Sequence, residues 1–336
     1  MKAIVCEKPF HISLTSSQIP ARAAGDALIR IRRVGLCGTD YHIFSGKQPF
    51  LTYPRVMGHE LAGEVLEAAP DSRLKPGQRV TINPYLSCRT CIACRRGRPN
   101  CCVALKVLGV HVDGGMREVL SVPESAVIDA AGLSLEQAAM VEFLAIGAHA
   151  VRRGQPGAGD RVLVVGAGPI GIAVSLFARM AGAAVTLVDT RRSRLDLAGV
   201  HLGIDGTMHA DGTEHERLSE LTGGEMFTCV FDATGNAAAM SGGLRYVAHA
   251  GSYVLVSVVK DDIAFPDPEF HKRETTLLAS RNALDEDFAQ VIGRIRDGSI
   301  PTRALHTHSI DAADTPRRIP ELIAGMDSVV KAIVNF

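Results

Sequence analysis

Short apolar runs alternate with amphipathic segments in the middle of the chain. The apolar runs predict strands at 161–166, 184–189, 226–235 and 251–259, and the spacing of apolar residues between them predicts helices over 169–182 and 193–203. Strands that alternate with helices form βαβ units, in which parallel strands build a sheet that is buried on both faces. We therefore predict an α/β fold with a doubly wound parallel sheet in this region.

The two ends of the chain show a different pattern. The first region contains short strand-like runs separated by Gly and Pro, at 28–35, 59–69, 78–85 and 117–125. Short strands at such spacing are typical of a compact, mostly β domain. The tail from residue 301 returns to short strands and a helix, and we expect it to fold back onto the first region.

Composition narrows the class of protein. The chain has 336 residues, enough for two domains, and 46% of them are hydrophobic, so disorder is not expected. Lys and Arg total 36, as do Asp and Glu, and this balance argues against a nucleic-acid partner. Neither a secretory signal nor an apolar run long enough for a membrane span is found. We expect a cytoplasmic protein with no membrane partner.

Four cysteines lie close together in a lobe at about 84–102. Cys88, Cys91, Cys94 and Cys102 have the spacing C-x2-C-x2-C-x7-C. Clustered thiols in a chain without a secretory signal indicate metal binding rather than disulfides. Four thiolates can form a closed tetrahedral shell around zinc, so we predict a structural zinc site here.

A glycine-rich turn follows the predicted strand 161–166 and opens the predicted helix after it. The turn is a G-x-G-x-x-G, and the next strand ends in Asp189. This context indicates a dinucleotide site, with the pyrophosphate at the helix N-terminus and the carboxylate on the ribose hydroxyls. Asp189 favours NAD over NADP, although Arg191, Arg192 and Arg194 follow it and weaken that preference. The predicted cofactor-binding residues are Gly166, Gly168, Pro169, Ile170, Gly171, Asp189 and Arg194.

Candidate catalytic residues are spread over the first part of the chain. Cys37 lies in VGLCGTDYH, His59 and Glu60 are adjacent in GHE, and Glu142 follows in MVEFLAIGAHA. Each residue alone is unremarkable, since a single Cys or His is more often part of a core. Together they supply the thiolate, imidazole and carboxylate groups that form an open zinc site.

These motifs, in this order, resemble the zinc-dependent medium-chain dehydrogenases and especially their polyol and sugar-acid branch. The resemblance implies a GroES-like, mostly β catalytic domain at 1–144 and 282–336, and a Rossmann domain at 145–281. It implies a catalytic zinc held by Cys37, His59 and Glu60. Glu142 matches the position that approaches or replaces the zinc-bound water, so it is a further candidate ligand.

The same resemblance implies the remaining roles. The four-cysteine spacing of the family selects Cys102 rather than its neighbour Cys101. Thr39 and His42 match a relay that carries a proton from the substrate to solvent, and Arg281 matches a substrate-binding position suited to a carboxylate. Homodimers or homotetramers that form through the Rossmann domain are expected.

Two longer stretches, 84–102 and 267–283, resemble the bacterial L-galactonate 5-dehydrogenase group and the related starvation-sensing dehydrogenases. We therefore expect hydride transfer between NAD and a secondary alcohol of a sugar acid or polyol, with one catalytic and one structural zinc. L-Threonine 3-dehydrogenase and sorbitol dehydrogenase are alternatives. A catalytically silent structural or regulatory relative, or a zinc-ribbon nucleic-acid module, would be the non-enzyme alternatives.

Overall fold

A computed structural model of the chain describes residues 1–48, 51–204 and 206–336. Its strands are β1 (Lys2–Lys8), β2 (His11–Ser16), β3 (Asp26–Leu36), β4 (Arg55–Val56), β5 (Glu60–Glu67), β6 (Arg79–Ile82), β7 (Tyr85–Leu86), β8 (Lys106–Val107), β9 (Val119–Pro123), β10 (Val127–Asp129), β11 (Arg161–Val165), β12 (Ala184–Asp189), β13 (Gly206–His209), β14 (Phe227–Asp232), β15 (Val247–Leu255), β16 (Thr276–Ala279), β17 (His306–Asp311) and β18 (Lys331–Asn335).

The helices are mostly short in the first part of the chain and longer after it. They are α1 (Gly38–Phe44), α2 (Ile92–Arg95), α3 (Leu135–Ala139), α4 (Val141–Gly154), α5 (Pro169–Met180), α6 (Arg192–Leu202), α7 (Glu214–Leu221), α8 (Ala237–Gly242), α9 (Asp267–Lys272), α10 (Asp285–Arg296), α11 (Thr302–Leu305) and α12 (Thr315–Ala324). Within the described ranges, no helix is both long and apolar enough to cross a membrane.

The chain divides into two units, and the second of them is Leu144–Ala283. Its six-stranded sheet has the order β13-β12-β11-β14-β15-β16, with all neighbours parallel. Numbered within the sheet, this order is 3-2-1-4-5-6, the arrangement of a Rossmann dinucleotide-binding fold. The direction of winding reverses between β11 and β14, and ligands of such sheets bind at the carboxyl ends of the strands beside that point.

Two predicted strands have other bounds in the structure: β14 is shorter than its apolar run, and β15 begins and ends four residues before the run 251–259. β14 ends at Asp232, whose Oδ1 accepts hydrogen bonds from the backbone N–H and hydroxyl of Thr234 at 2.9 and 2.7 Å, which turns the chain. The run 251–259 is strand only as far as Leu255, opposite the last residue of β16. Val258, beyond that point, is 84% exposed. β15 therefore ends where its neighbour β16 ends, and not where the apolar run ends.

The first unit consists of Met1–Phe143 with Leu284–Phe336, and its sheets are mainly antiparallel. The largest has the order β10-β6-β5-β3-β18-β17, with β9 also paired to β3. A three-stranded sheet, β2-β1-β4, and the pair β7-β8 complete the unit. The tail returns to this unit as expected, since β18 lies against β3. A buried apolar core that includes Ile29, Ile31, Leu61 and Val334 packs around these strands.

Candidate active site

Three of the predicted ligands meet at one edge of the largest sheet of the first unit, where β3 ends and β5 begins. Cys37 follows β3 directly and forms the N-cap of α1, and His59 precedes Glu60, the first residue of β5. The register of these strands pairs Gly35 with Glu60, so both segments are brought to one place. The ligand atoms of Cys37, His59 and Glu60 all lie within 4.8 Å of one another.

Gly35 is required at this position because the Glu60 side chain lies over its backbone. A Cβ atom at residue 35 would come within 2.9 Å of the Glu60 Cβ and would also meet the Glu60 carboxylate. Both atoms belong to a fully buried residue that has little freedom to move. The glycine thus makes room for the carboxylate beside Cys37.

Asp40 connects the two segments that carry the thiol and the imidazole. Its Oδ2 accepts a hydrogen bond from the Cys37 N–H at 2.9 Å, and its Oδ1 accepts one from the Gly58 N–H at 3.2 Å. Burial raises the pKa of Asp40 above its usual value, although the His59 ring and these hydrogen bonds act against that. The carboxyl group therefore fixes the loop around Cys37 against the residue that precedes His59.

The electrostatics of this set favour a cation. Burial alone would lower the pKa of His59, but Cys37, Asp40 and Glu142 outweigh it and raise that pKa well above the usual value. The Nδ1 atom of His59 is buried and has no hydrogen-bond partner among the described residues. Thiolate, imidazole and carboxylate are the ligand types of an open zinc site, so these residues fit the metal that the sequence implies.

The Glu60 carboxylate is also bound by a buried lysine. Lys331 Nζ lies 2.6 and 2.7 Å from the two carboxylate oxygens and donates to the Leu36 carbonyl at 3.2 Å. The ammonium group also lies 4.3 Å from the centre of the Phe143 ring, a cation–π contact. The Lys331 and Glu60 side chains are 1% and 0% exposed. The pair is therefore a fully buried ion pair within the candidate site.

Glu142 lies near the start of α4 and is 1% exposed, but it is not part of the set of ligand atoms that lie within 4.8 Å of one another. Its Oε1 accepts a hydrogen bond from the Tyr85 hydroxyl. Burial raises the pKa of Glu142 to about 7, with His59 acting against the shift and Glu60 adding to it. Burial, and then Glu142 itself, raise the pKa of Tyr85 well above its usual value, so the phenol is a donor.

The four-cysteine lobe brings its four sulfur atoms close together. The Sγ atom of Cys91 lies 3.5 Å from that of Cys94 and 3.9 Å from that of Cys102, and all four ligand atoms lie within 4.8 Å of one another. Tetrahedral zinc with bonds of about 2.3 Å separates its sulfur ligands by about 3.8 Å. The backbone N–H of Cys88 donates to the Cys102 sulfur at 3.2 Å. These four residues fit a closed, structural zinc site.

The glycine-rich turn lies between β11 and α5 in the second unit. Gly166 has φ of 103°, and a Cβ atom on Gly171 would collide with the Gly166 carbonyl oxygen, so both positions need glycine. Asp189 Oδ2 accepts from the Ala167 N–H at 2.6 Å, which ties the end of β12 to this turn. The Arg194 guanidinium lies close to Gly168, 3.4 Å from the position of a Cβ there.

Comparison with known proteins agrees with this geometry. A family model described as the alcohol dehydrogenase GroES-like domain matches residues 23–132, and one described as zinc-binding dehydrogenase matches residues 169–297. The chain is 39% identical to L-galactonate-5-dehydrogenase of Escherichia coli over 100% of its length and 99% of that protein. The chain belongs to the zinc-binding alcohol dehydrogenase family.

Other members of the family align over almost the whole chain. An L-threonine 3-dehydrogenase of Bacillus velezensis is 30% identical over 94% of the chain and 93% of that protein. A crystal structure described as a short chain alcohol dehydrogenase from Escherichia coli, complexed with NADH, superposes with a TM-score of 0.94 at 29% identity, over 100% of this chain and 99% of that one. The protein is thus an oxidoreductase with a GroES-like and a Rossmann domain, as the sequence predicted.

The other predicted site residues lie in different surroundings. Thr39 and His42 are on α1, where Thr39 is half-buried and His42 is exposed. Partial burial lowers the pKa of His42, and Lys47 adds to that shift. Arg281 follows β16 in the second unit and is exposed.

Sequence reasoning missed three side chains of the site. Asp40 stands in the CGTD motif, where its position three residues after Cys37 is a signal of an N-terminal cap that could have been used. Tyr85 and Lys331 carry no local signal. Lys331 reaches Glu60 only because the register pairs Ala332 with Leu36 in the neighbouring strand.

Proposed function

We propose that this protein oxidises a secondary hydroxyl of a sugar acid of the L-galactonate type with NAD, and that it catalyses the reverse reduction. The observation that carries the proposal is the 39% identity to L-galactonate-5-dehydrogenase over the whole chain. The ligand set of Cys37, His59 and Glu60 supports the zinc chemistry that this reaction requires.

The proposed metal sites differ in their roles. Cys37 and His59, with Glu60, would hold a catalytic zinc, and Cys88, Cys91, Cys94 and Cys102 a structural one. A zinc ion in the first site supplies a Lewis acid that lowers the pKa of an alcohol. Lys331 holds Glu60 in one orientation, because both carboxylate oxygens are bound by its ammonium group. Asp40 holds the Cys37 loop in place.

Thr39 and His42 would carry the proton away. Residues three apart on a helix share a face, so α1 presents a half-buried hydroxyl and an exposed imidazole on one side. The lowered pKa of His42 leaves its ring neutral at neutral pH and therefore able to accept a proton, but it also makes the ring a weaker base.

We propose NAD as the cofactor because Asp189 ends β12 beside the glycine-rich turn. A carboxylate there accepts hydrogen bonds from ribose hydroxyls and repels a 2′-phosphate. Arg191 and Arg192 are exposed and close to it in the chain, so NADP is the competing cofactor.

An NAD-reduction screen over hexonates, hexitols, pentitols and threonine tests the proposed substrate. We expect the highest kcat/KM with a hexonate and lower values with the matching hexitol. The identity of 30% to a threonine 3-dehydrogenase makes threonine the second candidate. Activity on threonine alone would overturn the sugar-acid proposal.

We also propose that the protein is a homo-oligomer that forms through the second unit. β16 is the last strand of the parallel sheet, and it exposes Thr276, Leu277 and Ala279. An exposed edge strand is a template for pairing with another chain. Sedimentation equilibrium tests this proposal, and a monomer across the assay concentrations would contradict it.

A further inference from the structure

His209 is the last residue of β13 in the second unit, beside the strand that carries Asp189. The two strands are parallel, and their register pairs Asp189 with His209. The Ala210 N–H donates to the Asp189 carbonyl at 2.9 Å, so the pairing continues past the end of β13. Both residues therefore lie at the carboxyl ends of the sheet, where a dinucleotide binds.

The His209 ring is bonded to the residue that follows Asp189. Its Nε2 atom lies 3.0 Å from the carbonyl oxygen of Thr190. A carbonyl oxygen can only accept a hydrogen bond, so Nε2 carries a proton and donates it. The His209 side chain is 21% exposed, so most of it is sheltered from water. The ring thus holds the start of the segment that leads from β12 to α6.

The ring is fixed on its other side by a charged network. Its Nδ1 atom lies 3.5 Å from Asp211 Oδ2. Arg217 of α7 donates to Asp211 Oδ1 at 2.9 Å and also to the His209 carbonyl. Hydrogen bonds from Thr213 lower the pKa of Asp211 to about 2, and His209 and Arg217 add to that shift. The imidazole therefore lies between an anchored carboxylate and the carbonyl that it binds.

The segment held by the ring carries groups of opposite preference. Asp189 accepts from the Ala167 N–H through Oδ2 at 2.6 Å and from the Arg191 N–H through Oδ1 at 2.8 Å. Each of these oxygens keeps a lone pair for a ribose hydroxyl. Arg191 and Arg192 are exposed, and a guanidinium binds a phosphate with two parallel hydrogen bonds. The path of the chain after Asp189 therefore decides which group meets the ribose.

We propose that His209 is a positioning residue for the choice of cofactor. By holding the Thr190 carbonyl, it keeps the chain in the path that presents the Asp189 carboxylate, rather than the two arginines, to the adenosine ribose. This role rests on the proposed use of NAD, and it does not depend on which alcohol is the substrate.

His209→Phe tests the proposal, since it keeps a ring and removes both nitrogens. NADH and NADPH are titrated in the absence of substrate, and their fluorescence gives a Kd for each. We expect the Kd for NADH to rise by about two- to tenfold, the value of one hydrogen bond, and the Kd for NADPH to rise less or to fall. A merely structural role would weaken the binding of both cofactors by the same factor.

Further variants separate the hydrogen bond from the shape of the ring. His209→Gln should restore the wild-type ratio of the two Kd values, because its amide N–H can donate to the Thr190 carbonyl. In an Asp189→Ala background, His209→Phe should not change the ratio further, since the carboxylate through which it acts is gone. His215→Phe is the matched control, because His215 is a half-buried histidine of α7 whose ring lies 5.8 Å from that of Tyr246. It should leave both Kd values unchanged.

An unchanged ratio in His209→Phe would overturn the positioning role, as would a Gln variant that behaves like the Phe variant. His209→Leu also removes the donor, and it gives the same comparison if the Phe variant does not fold. Tighter binding of NADPH than of NADH by the wild type would contradict the proposed cofactor and the role of His209 together. Tighter binding of NADH, with an unchanged ratio in the variant, would contradict only the role of His209.

Discussion

Replacement of Lys331 by Met should destabilise the first unit more than any change of an exposed lysine. Met removes the ammonium group but retains a long apolar side chain, so little cavity is created. What remains is the Glu60 carboxylate, 0% exposed, without the group that binds both of its oxygens. The Leu36 carbonyl and the Phe143 ring also lose their contacts with the cation.

The magnitude follows from the burial of the pair. Breaking a buried ion pair from one side costs about 3–5 kcal/mol, because an uncompensated charge stays in the interior. That loss is a large part of the roughly 5–15 kcal/mol that stabilises a typical native protein. The unfolding equilibrium constant should therefore rise by a factor of roughly a hundred or more.

Urea unfolding, followed by far-UV circular dichroism, measures this loss when Lys331→Met is compared with its parent in a Cys37→Ser background. That background should lack the catalytic zinc, so no metal ion compensates the Glu60 carboxylate. Circular dichroism suits the protein because the chain contains no Trp. Lys272→Met is the control, since Lys272 pairs with Glu269 at 2.8 Å but the two side chains are 55% and 42% exposed. Exposed pairs of this kind contribute about 0–1 kcal/mol.

A double variant separates the ion pair from packing. In Lys331→Met with Glu60→Gln, no buried charge is left, and most of the lost stability should return. The reasoning is refuted if Lys331→Met is as stable as the Lys272 control. It is also refuted if the double variant is no more stable than Lys331→Met alone.

Other predictions concern the metals, the cofactor and the substrate. Cys94→Ser should lose one of the two expected zinc ions and unfold at a lower urea concentration. Cys37→Ser should lose activity, with a smaller effect on unfolding. Metal analysis and urea unfolding of both variants test this difference. Asp189→Ala should raise the KM for NAD and lower the ratio of kcat/KM with NAD to kcat/KM with NADP, as measured by steady-state kinetics. If that ratio does not change, Asp189 does not contact the ribose. Arg281→Ala should raise the KM for a sugar acid by about 10- to 100-fold, the value of a hydrogen bond to a charged group. Equal losses with the matching neutral polyol would contradict a carboxylate contact.

The sequence predicted those parts of the protein whose structure is determined by interactions between residues close together in the chain. The strand, glycine-rich turn and helix at 161–180 follow from apolar spacing and from glycines whose neighbours leave no room for a Cβ. The cysteine lobe is equally local, since its four thiols lie within a short segment that can fold around one ion. The predicted strand 251–259 was placed four residues too late, because the bounds of β15, Val247–Leu255, depend on its neighbours in the sheet.

Long-range pairing decided the rest of the candidate site. The sequence indicated Cys37, His59 and Glu60 through their chemistry, but Lys331 is 271 positions from Glu60 and has no motif of its own. Lys331 meets Glu60 because β18 and β5 both pair with β3. Leu36 of β3 lies opposite Ala332, and Gly35 lies opposite Glu60. Tyr85, on a two-residue strand, likewise meets Glu142 of α4 across 57 positions of the chain. Composition and spacing thus determined which chemistry the chain can perform, whereas only the register of distant strands determined which buried groups hold it in place.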